Sequence, residues 1–192
     1  MAEHIFHFCG PITPKSYEYL RNTICTAVFE RFADKITVMF SSEGGDLNSG
    51  FSAYNFLRGL PVPVKMVNVG TVESIAVIIY LAADEREVLE TSRFLLHQFN
   101  WTYPHQIVDY SRLSENSQSL QFDFNRYVSI FNDRTHCGKN TIDVTKCLNG
   151  QSIILDPATA SSAGISTGVI PVKGSIPPQT DDVIHWWCQS CF

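Results

Sequence analysis

The segment SIAVIIYLAA, residues 74–83, constrains the fold more than any other, because after its first serine nearly every side chain is apolar. It has the length of a helix, and a helix that is apolar on all sides belongs in the centre of a protein. Short apolar runs of strand length precede it (KITVMFS and VPVKMVNV) and follow it (EVLE and RFLLHQ). Strands that alternate with helices predict an α/β fold in which parallel strands are joined by right-handed crossovers.

Further segments continue this alternation. HIFHFCG predicts a first strand, and the helix after it begins with Thr13 as N-cap and Pro14 as its first residue. LNSGFSAYNFLRGL predicts a second helix, and residues 106–132 predict a long helix that is polar at one end and aromatic at the other. SIILDPATASSAGISTGVIPV predicts strand, helix and strand. We therefore expect one domain over residues 1–172 and an aromatic tail over residues 173–192.

The composition argues against several classes of protein. With 192 residues, of which 44% are hydrophobic and 17% charged, the chain can bury the core of one globular domain. A net charge of −5 without a cluster of Lys or Arg gives no support for binding to nucleic acid or to an anionic membrane. No signal peptide is visible, and the longest apolar run, Ile75–Ala83, is too short to cross a bilayer. We expect a cytoplasmic protein.

The six cysteines are scattered along the chain, as expected for reduced thiols in a protein without a secretory signal. One C-x-x-C pair is present in the tail, formed by Cys188 and Cys191 close to His185. A structural zinc site usually takes its four ligands from two such pairs or from added histidines. The sequence therefore predicts neither a bound metal nor a cofactor.

Three features carry groups that could do chemistry, and each also has a purely structural interpretation. Ser74 begins the apolar helix, where its hydroxyl suits either a helix cap or a nucleophile beside an oxyanion. The pair Gly44-Gly45 follows a buried strand and forms either a simple turn or a source of backbone N–H donors to an anion. His97 ends the run RFLL as either a core histidine or a base. Each residue taken alone leaves both interpretations open.

Taken together, these features resemble a known family. The stretches FSSEGGDLNSGFSAYNFLRGL and VGTVESIAVIIYLAADEREVLETSRFLLHQF are similar to the proteolytic subunits of the Clp protease, which are serine peptidases with the ClpP/crotonase fold. The family's glycine pair, Gly-x-x-x-Ser segment and His-Gln dipeptide occur here in the same order, as Gly44-Gly45, Gly70 to Ser74, and His97-Gln98. The resemblance covers roughly residues 4–172. It implies stacked βαβ units with a projecting "handle" helix.

The resemblance also implies a catalytic mechanism. Ser74 would attack a peptide carbonyl, and His97 would take its proton and return it to the leaving amine. The backbone N–H groups of Gly45 and Ile75 would form the oxyanion hole. The substrate would be a peptide or an unfolded protein, aligned by strand addition.

The resemblance further implies an assembly. The long helix corresponds to the handle through which the family's rings stack, so a homo-oligomeric ring is expected, as a heptamer or as stacked rings. The first strand begins at about His4, and the family's N-terminal segment that contacts the unfoldase is not found before it. We therefore do not expect an AAA+ unfoldase as partner.

The third member of the catalytic triad departs from the family pattern. In the family an Asp stands at a fixed distance before an Ala-x-x-x-Gly helix end, which is Ala160 to Gly164 here. The same register places Ser152 at the position of that Asp. A hydroxyl can orient an imidazole but has no charge to stabilise the imidazolium. Asp156 or Asp143 could serve instead if the loop is displaced.

Glu73 is a second departure, because the family has a small residue before the nucleophile. Two interpretations stay open. In the first turn of the helix its carboxylate would be stabilised by the helix dipole. Directed into the site, the same charge would oppose the developing oxyanion and slow acylation.

Three functions are therefore considered. The first is an active serine peptidase that uses Ser74 and His97. The second is a weakly active or inactive ClpP-like ring subunit with a scaffolding or regulatory role, which the absent Asp and Glu73 would favour. The third is a crotonase-type acyl enzyme that binds a thioester with paired oxyanion donors, against which the Ser-His pair argues.

Overall fold

The computed structural model describes residues 2–100 and 109–188. Within these residues, eight strands form one sheet with the order β6-β5-β3-β2-β1-β8, and β4 pairs with β3 and with β7. The strands are β1 (Glu3–Cys9), β2 (Lys35–Ser42), β3 (Val64–Glu73), β4 (Glu85–Leu89), β5 (Arg93–Leu96), β6 (Ile153–Leu155), β7 (Gly168–Ile170) and β8 (Val183–Cys188). The predicted α/β fold is confirmed. The prediction of parallel strands holds for each pair except β5–β6, which is antiparallel.

Six α-helices occur in the described residues. They are α1 (Pro14–Cys25), α2 (Leu47–Arg58), α3 (Ile75–Tyr80), α4 (Tyr110–Thr135), α5 (Val144–Leu148) and α6 (Pro157–Ser162). A π-helical turn, Thr26–Glu30, extends α1. The predicted start of α1 is confirmed, because Thr13 and Ser16 form a reciprocal capping box and Pro14 is the first helical residue. The short helix α5 was not predicted.

The apolar segment after Ser74 forms the centre of the protein, as expected. Each of the six residues of α3 is at most 1% exposed. The helix packs on β3 and α2, within one hydrophobic cluster that also contains Phe40, Phe51 and Phe94. Burial of large apolar side chains on this scale is the main stabilising contribution to a fold of this size. The turn that precedes α3 is therefore held by a rigid core.

The long helix α4 begins at Tyr110 and ends at Thr135, rather than spanning Gln106 to Asn132. Asp109 is its N-cap, with a side chain that accepts a hydrogen bond from the Arg112 N–H, and Gln106 lies outside the described residues. The buried residues of α4 all fall in its C-terminal half. The N-terminal half projects from the domain with its side chains largely in solvent.

The tail contains a strand that the sequence analysis did not predict. β8 runs parallel to β1, with pairs from Glu3↔Val183 to Phe8↔Cys188, and extends the sheet. Trp186 explains the pairing, because its ring stacks on Phe6 at 5.9 Å between centroids and its indole N–H donates to His4 Nδ1 at 3.0 Å. Aromatic contacts of this kind stabilise neighbouring strands.

Candidate active site

Ser74 occupies a sharp turn between β3 and α3. Its backbone has φ +54° and ψ −130°, a conformation that a residue with a side chain rarely adopts. Its N–H donates to the Leu95 carbonyl of β5 at 3.0 Å, which ties the turn to the neighbouring strand. The Ser74 side chain makes no capping hydrogen bond to α3. Strained backbone of this type is frequently associated with functional residues.

The turn Gly44-Gly45 passes directly against this serine. A Cβ atom at Gly44 would lie 2.8 Å from Ser74 Cβ, and one at Gly45 would lie 2.2 Å from the Ile12 carbonyl oxygen. Both glycines have positive φ, at +89° and +143°. The close approach therefore requires glycine at both positions.

Two backbone N–H groups near Ser74 are candidates for the oxyanion hole, as the sequence predicted. Ile12 bridges to the glycine turn by two hydrogen bonds: its N–H donates to the Gly44 carbonyl, and its carbonyl accepts from the Asp46 N–H. Neither bond uses the N–H of Gly45, which lies between them. Ile75 is the first residue of α3, and the N–H of a first helical residue has no acceptor within its own helix. Both groups therefore stay candidates for the oxyanion hole, and of the two residues Gly45 lines the cavity described next.

His97 follows the end of β5 and is partly buried. A cavity of about 190 Å³ is lined by Ser74 and His97 together with Glu43, Gly45, Leu47, Gln98, Phe99 and Asn100. Three predicted site residues, the nucleophile, the base and one oxyanion glycine, therefore meet at one cavity. No hydrogen bond joins Ser74 Oγ and the His97 ring, two groups that both lie in the described part of the chain. Catalytic hydrogen bonds are often long before substrate binds.

The β5–β6 register bears on the third triad position. Leu96 pairs with Ile153 in this antiparallel ladder, so one further step in the same register places Ser152 opposite His97. Ser152 is exposed and does not line the cavity.

The two alternative carboxylates lie elsewhere. Asp156 is the N-cap of α6 and accepts a hydrogen bond from the Thr159 N–H at 2.7 Å, which holds the pKa of Asp156 below its ordinary value. Asp143 precedes α5, with Oδ2 3.6 Å from Lys146 Nζ. Neither side chain lines the cavity. The acidic side chain that does line it, among the described residues, belongs to Glu43, which the sequence analysis did not identify as a site residue.

Glu73 is the last residue of β3 and not part of the first turn of α3. Its Oε1 accepts hydrogen bonds from Thr71 Oγ1 at 2.6 Å and from Arg93 Nη2 at 2.9 Å. It is not among the residues that line the cavity. The carboxylate thus links β3, which leads to Ser74, to β5, which leads to His97.

Tyr127 is a contact of the site that the sequence analysis did not identify. Its hydroxyl, carried by α4, donates to the Ser74 carbonyl at 3.0 Å. The side chain is fully buried, and burial raises the pKa of Tyr127 well above its ordinary value, so the hydroxyl remains a donor. In the sequence this tyrosine is one of several aromatic residues at the end of a long helix, and nothing distinguishes it from them.

The described residues contain no helix that is both long and apolar enough to cross a membrane. Nor does this part of the chain place three or more His, Cys, Asp or Glu side chains around a position for a metal ion. In the tail, burial raises the pKa of the Cys188 thiol to about 12, and Cys191 lies outside the described residues.

Comparison with known proteins identifies the family. The sequence model of the Clp protease family matches residues 1–172, so this chain belongs to the Clp protease family. β8 lies beyond the matched residues. The family resemblance inferred from the sequence motifs is confirmed.

Individual relatives support this assignment over shorter segments. The chain is 44% identical over 69 residues to the ATP-dependent Clp protease proteolytic subunit 2 of Borreliella burgdorferi, which is 35% of each chain. It is 37% identical over 65 residues to the subunit of the same name from Treponema pallidum, which is 33% of each chain. The aligned segments span about a third of the length of these curated relatives.

A solved structure shows the same fold. A mutant of ClpP1 from Listeria monocytogenes superimposes with a TM-score of 0.71 at 20% sequence identity, over 88% of this chain and 92% of that one. At this identity the likeness establishes the fold, including a ClpP-like arrangement of the sheet and its helices.

Proposed function

We propose that the protein is a serine endopeptidase in which Ser74 is the nucleophile and His97 the general base. The observation that carries this proposal is the turn at Ser74, which has positive φ, leaves the side chain free of a capping role and opens on a cavity shared with His97. A serine used only as a helix cap would hydrogen-bond to its helix and would need no strained backbone.

The proposed reaction has two stages. Ser74 Oγ attacks the carbonyl carbon of the scissile bond as His97 takes its proton, and the N–H groups of Gly45 and Ile75 stabilise the oxyanion that forms. His97 then protonates the leaving amine, and the C–N bond breaks to leave an acyl-enzyme. Water, activated by His97, hydrolyses the ester and regenerates Ser74.

The third triad position determines how fast this reaction proceeds. In our proposal Ser152 takes this position, which is supported by the last pair of the β5–β6 ladder, Leu96↔Ile153, one residue from each of His97 and Ser152. A hydroxyl can hold the imidazole ring by a hydrogen bond, but it leaves the imidazolium without a compensating charge. Loss of the triad carboxylate lowers kcat by about 10⁴-fold when the wrong histidine tautomer results. We therefore expect a slow enzyme.

Peptides or unfolded proteins are the proposed substrates, and a homo-oligomeric ring in the cytoplasm is the proposed state. The projecting half of α4 supports the assembly, since Tyr110 and Phe122 are 85% and 66% exposed. Burying such apolar side chains against another copy of the chain is favourable. A heptamer or stacked rings would bury them. Sedimentation velocity of the purified protein tests this part of the proposal.

A catalytically inactive ring subunit is the second candidate. It is favoured by one observation: within the described residues, no hydrogen bond orients the His97 ring. A crotonase-type acyl enzyme has less support, because a nucleophile and a base that line one cavity are not needed for oxyanion binding alone.

Labelling with a fluorophosphonate distinguishes these functions. The reagent phosphonylates an activated serine, and intact mass reports one adduct on the wild-type protein. Ser74→Ala and His97→Ala should both prevent the adduct while the circular dichroism spectrum is retained. An unlabelled wild-type protein with a native spectrum would overturn the peptidase assignment and favour the scaffold.

A further inference from the structure

The peptide unit between Ser74 and Ile75 is held from outside the site by Tyr127. The carbonyl of this unit accepts hydrogen bonds from Tyr127 Oη at 3.0 Å and from the Val77 N–H at 3.1 Å. The N–H of the same unit belongs to Ile75 and is one of the two donors of the proposed oxyanion hole. Tyr127 and the oxyanion would therefore bind opposite ends of one amide.

Because of the geometry of a peptide unit, a hydrogen bond to its carbonyl also affects its N–H. The unit is planar and trans, so the carbonyl and the N–H point in opposite directions and turn together. A donor that fixes the carbonyl oxygen consequently fixes the direction of the N–H. Donation to the carbonyl also polarises the amide, which strengthens the hydrogen bond that its N–H can make.

Tyr127 is itself held firmly in place. It is 0% exposed and lies one helical turn before Phe131, which is also buried in the core. Its ring meets that of Phe99 edge to face, with 5.5 Å between centroids. Phe99 is two residues beyond His97, so Tyr127 contacts both the nucleophile turn and the segment that follows the base.

We propose that Tyr127 is a positioning residue for oxyanion stabilisation, whose hydroxyl orients the Ile75 N–H through the Ser74 carbonyl. This inference rests on the proposed peptidase function. It makes the orientation of α4 relative to the core a determinant of catalytic rate, because the residue that sets the oxyanion donor is carried by that helix.

Tyr127→Phe tests the inference, with Tyr80→Phe as the matched control. Tyr80 is also fully buried, and its hydroxyl donates to a backbone carbonyl, that of Glu87, at 2.7 Å. Each variant loses one hydroxyl and one buried hydrogen bond to a carbonyl. The variants differ in whether that carbonyl belongs to the peptide unit after Ser74.

We expect Tyr127→Phe to lower both the rate of fluorophosphonate labelling and kcat for a fluorogenic peptide by about 10-fold, less than the loss of a direct oxyanion donor. KM should stay unchanged, since the contact acts on the transition state. Tyr80→Phe should label at the wild-type rate. Equal labelling rates for the two variants, or a change confined to KM, would overturn the inference.

The amide resonance of Ile75 provides a readout that does not require activity. Loss of the hydrogen bond to the Ser74 carbonyl should shift the ¹⁵N resonance of Ile75 in Tyr127→Phe and leave it in place in Tyr80→Phe. If wild-type protein is not labelled, the peptidase proposal fails, and this resonance alone decides the role of Tyr127. An unshifted Ile75 resonance would overturn it.

Discussion

The Arg93 guanidinium donates to the Glu73 carboxylate at 2.9 Å, across the two strands that lead to Ser74 and His97. The two side chains differ strongly in burial, with 11% of Glu73 and 52% of Arg93 exposed. Thr71 donates a second hydrogen bond to the same carboxylate oxygen. Because one partner of this ion pair is nearly buried and the other is half-exposed, removing the one or the other side chain should change the free energy of unfolding by different amounts.

Arg93→Ala should destabilise the protein more than Glu73→Ala does. Removing the guanidinium leaves a nearly buried carboxylate with the Thr71 hydroxyl as its remaining side-chain partner, for which we expect a loss of about 2 kcal/mol in the free energy of unfolding. Removing the carboxylate leaves a half-exposed guanidinium that water can solvate, at a cost of about 1 kcal/mol or less. Urea denaturation measures both values, and the reverse ranking would contradict the proposed asymmetry.

Glu73→Ala should also leave the rate of fluorophosphonate labelling unchanged. The carboxylate is bound to Thr71 and Arg93 and does not line the cavity, so it should not oppose a developing oxyanion. Labelling rates of wild type and variant at equal concentration give the comparison. An accelerated variant would mean that the charge acts on the oxyanion hole.

Ser74→Gly should stabilise the fold while it abolishes labelling. Ser74 has φ +54°, where glycine is unstrained and a residue with a side chain incurs a penalty of about 1 kcal/mol or more. Ser74→Ala retains the Cβ atom and should gain no such stability, which makes it the matched control. Thermal unfolding of the two variants measures the difference. Equal melting temperatures would mean that the turn is not strained.

Ser152→Asp should raise peptidase turnover. Ser152 is the proposed third triad residue, one step beyond the ladder pair Leu96↔Ile153. A carboxylate there would stabilise the imidazolium and recover part of the roughly 10⁴-fold that the triad carboxylate contributes. Gln151→Asp adds the same charge one residue away, also at an exposed position, and should not raise kcat. If both variants are accelerated equally, general electrostatics and not the triad position is responsible.

Acidification should loosen β8 from β1. Burial, together with the neighbouring His185, lowers the pKa of His7, whose Nε2 lies 2.9 Å from His185 Nδ1. The unfolded chain protonates this histidine near its ordinary pKa of about 6.5, whereas the folded form resists protonation. The contribution of neutral His7 to the stability of the folded state is therefore fully present above about pH 6.5. It decreases as the pH falls from there toward the lowered pKa of the folded state.

Peptide-resolved hydrogen exchange across this pH range measures the effect as a fall in the protection factors of residues 183–188. His7→Gln removes the titrating ring and should reduce the pH dependence, while the protection of β3 should vary little. Constant protection of β8 down to pH 5.5 would contradict this assignment.

Local sequence signals were enough to predict much of the scaffold. Capping residues and the spacing of apolar residues predict the N-cap of α1 at Thr13, the central position of α3 and the strands around it. The structure confirms these predictions. The convergence of Ser74, His97 and Gly45 on one cavity was predicted from a family resemblance, since no local pattern brings together residues from three separate connections.

The elements that were not predicted depend on distant contacts. β8 pairs with a strand at the opposite end of the chain, and its stability comes from rings such as Trp186 that find partners only after folding. The bond from Tyr127 to Ser74 joins residues 53 positions apart, on a helix whose boundaries were themselves shifted. The spacing of apolar residues along a helix predicts that such a tyrosine is buried, but it does not predict which carbonyl accepts a hydrogen bond from its hydroxyl.

The parallel course of β1 and β8 determines where the chain leaves the sheet. Parallel strands end at one common edge of the sheet. Cys188, which pairs with Phe8, therefore ends β8 on the same side of the molecule as Ser74, the residue that follows the end of β3. Residue 3, at the start of β1, lies at the opposite edge. A fluorophore or affinity tag fused after residue 188 would thus start on the side of the proposed active site, whereas one fused ahead of β1 would start at the opposite edge and is the better choice for kinetic work.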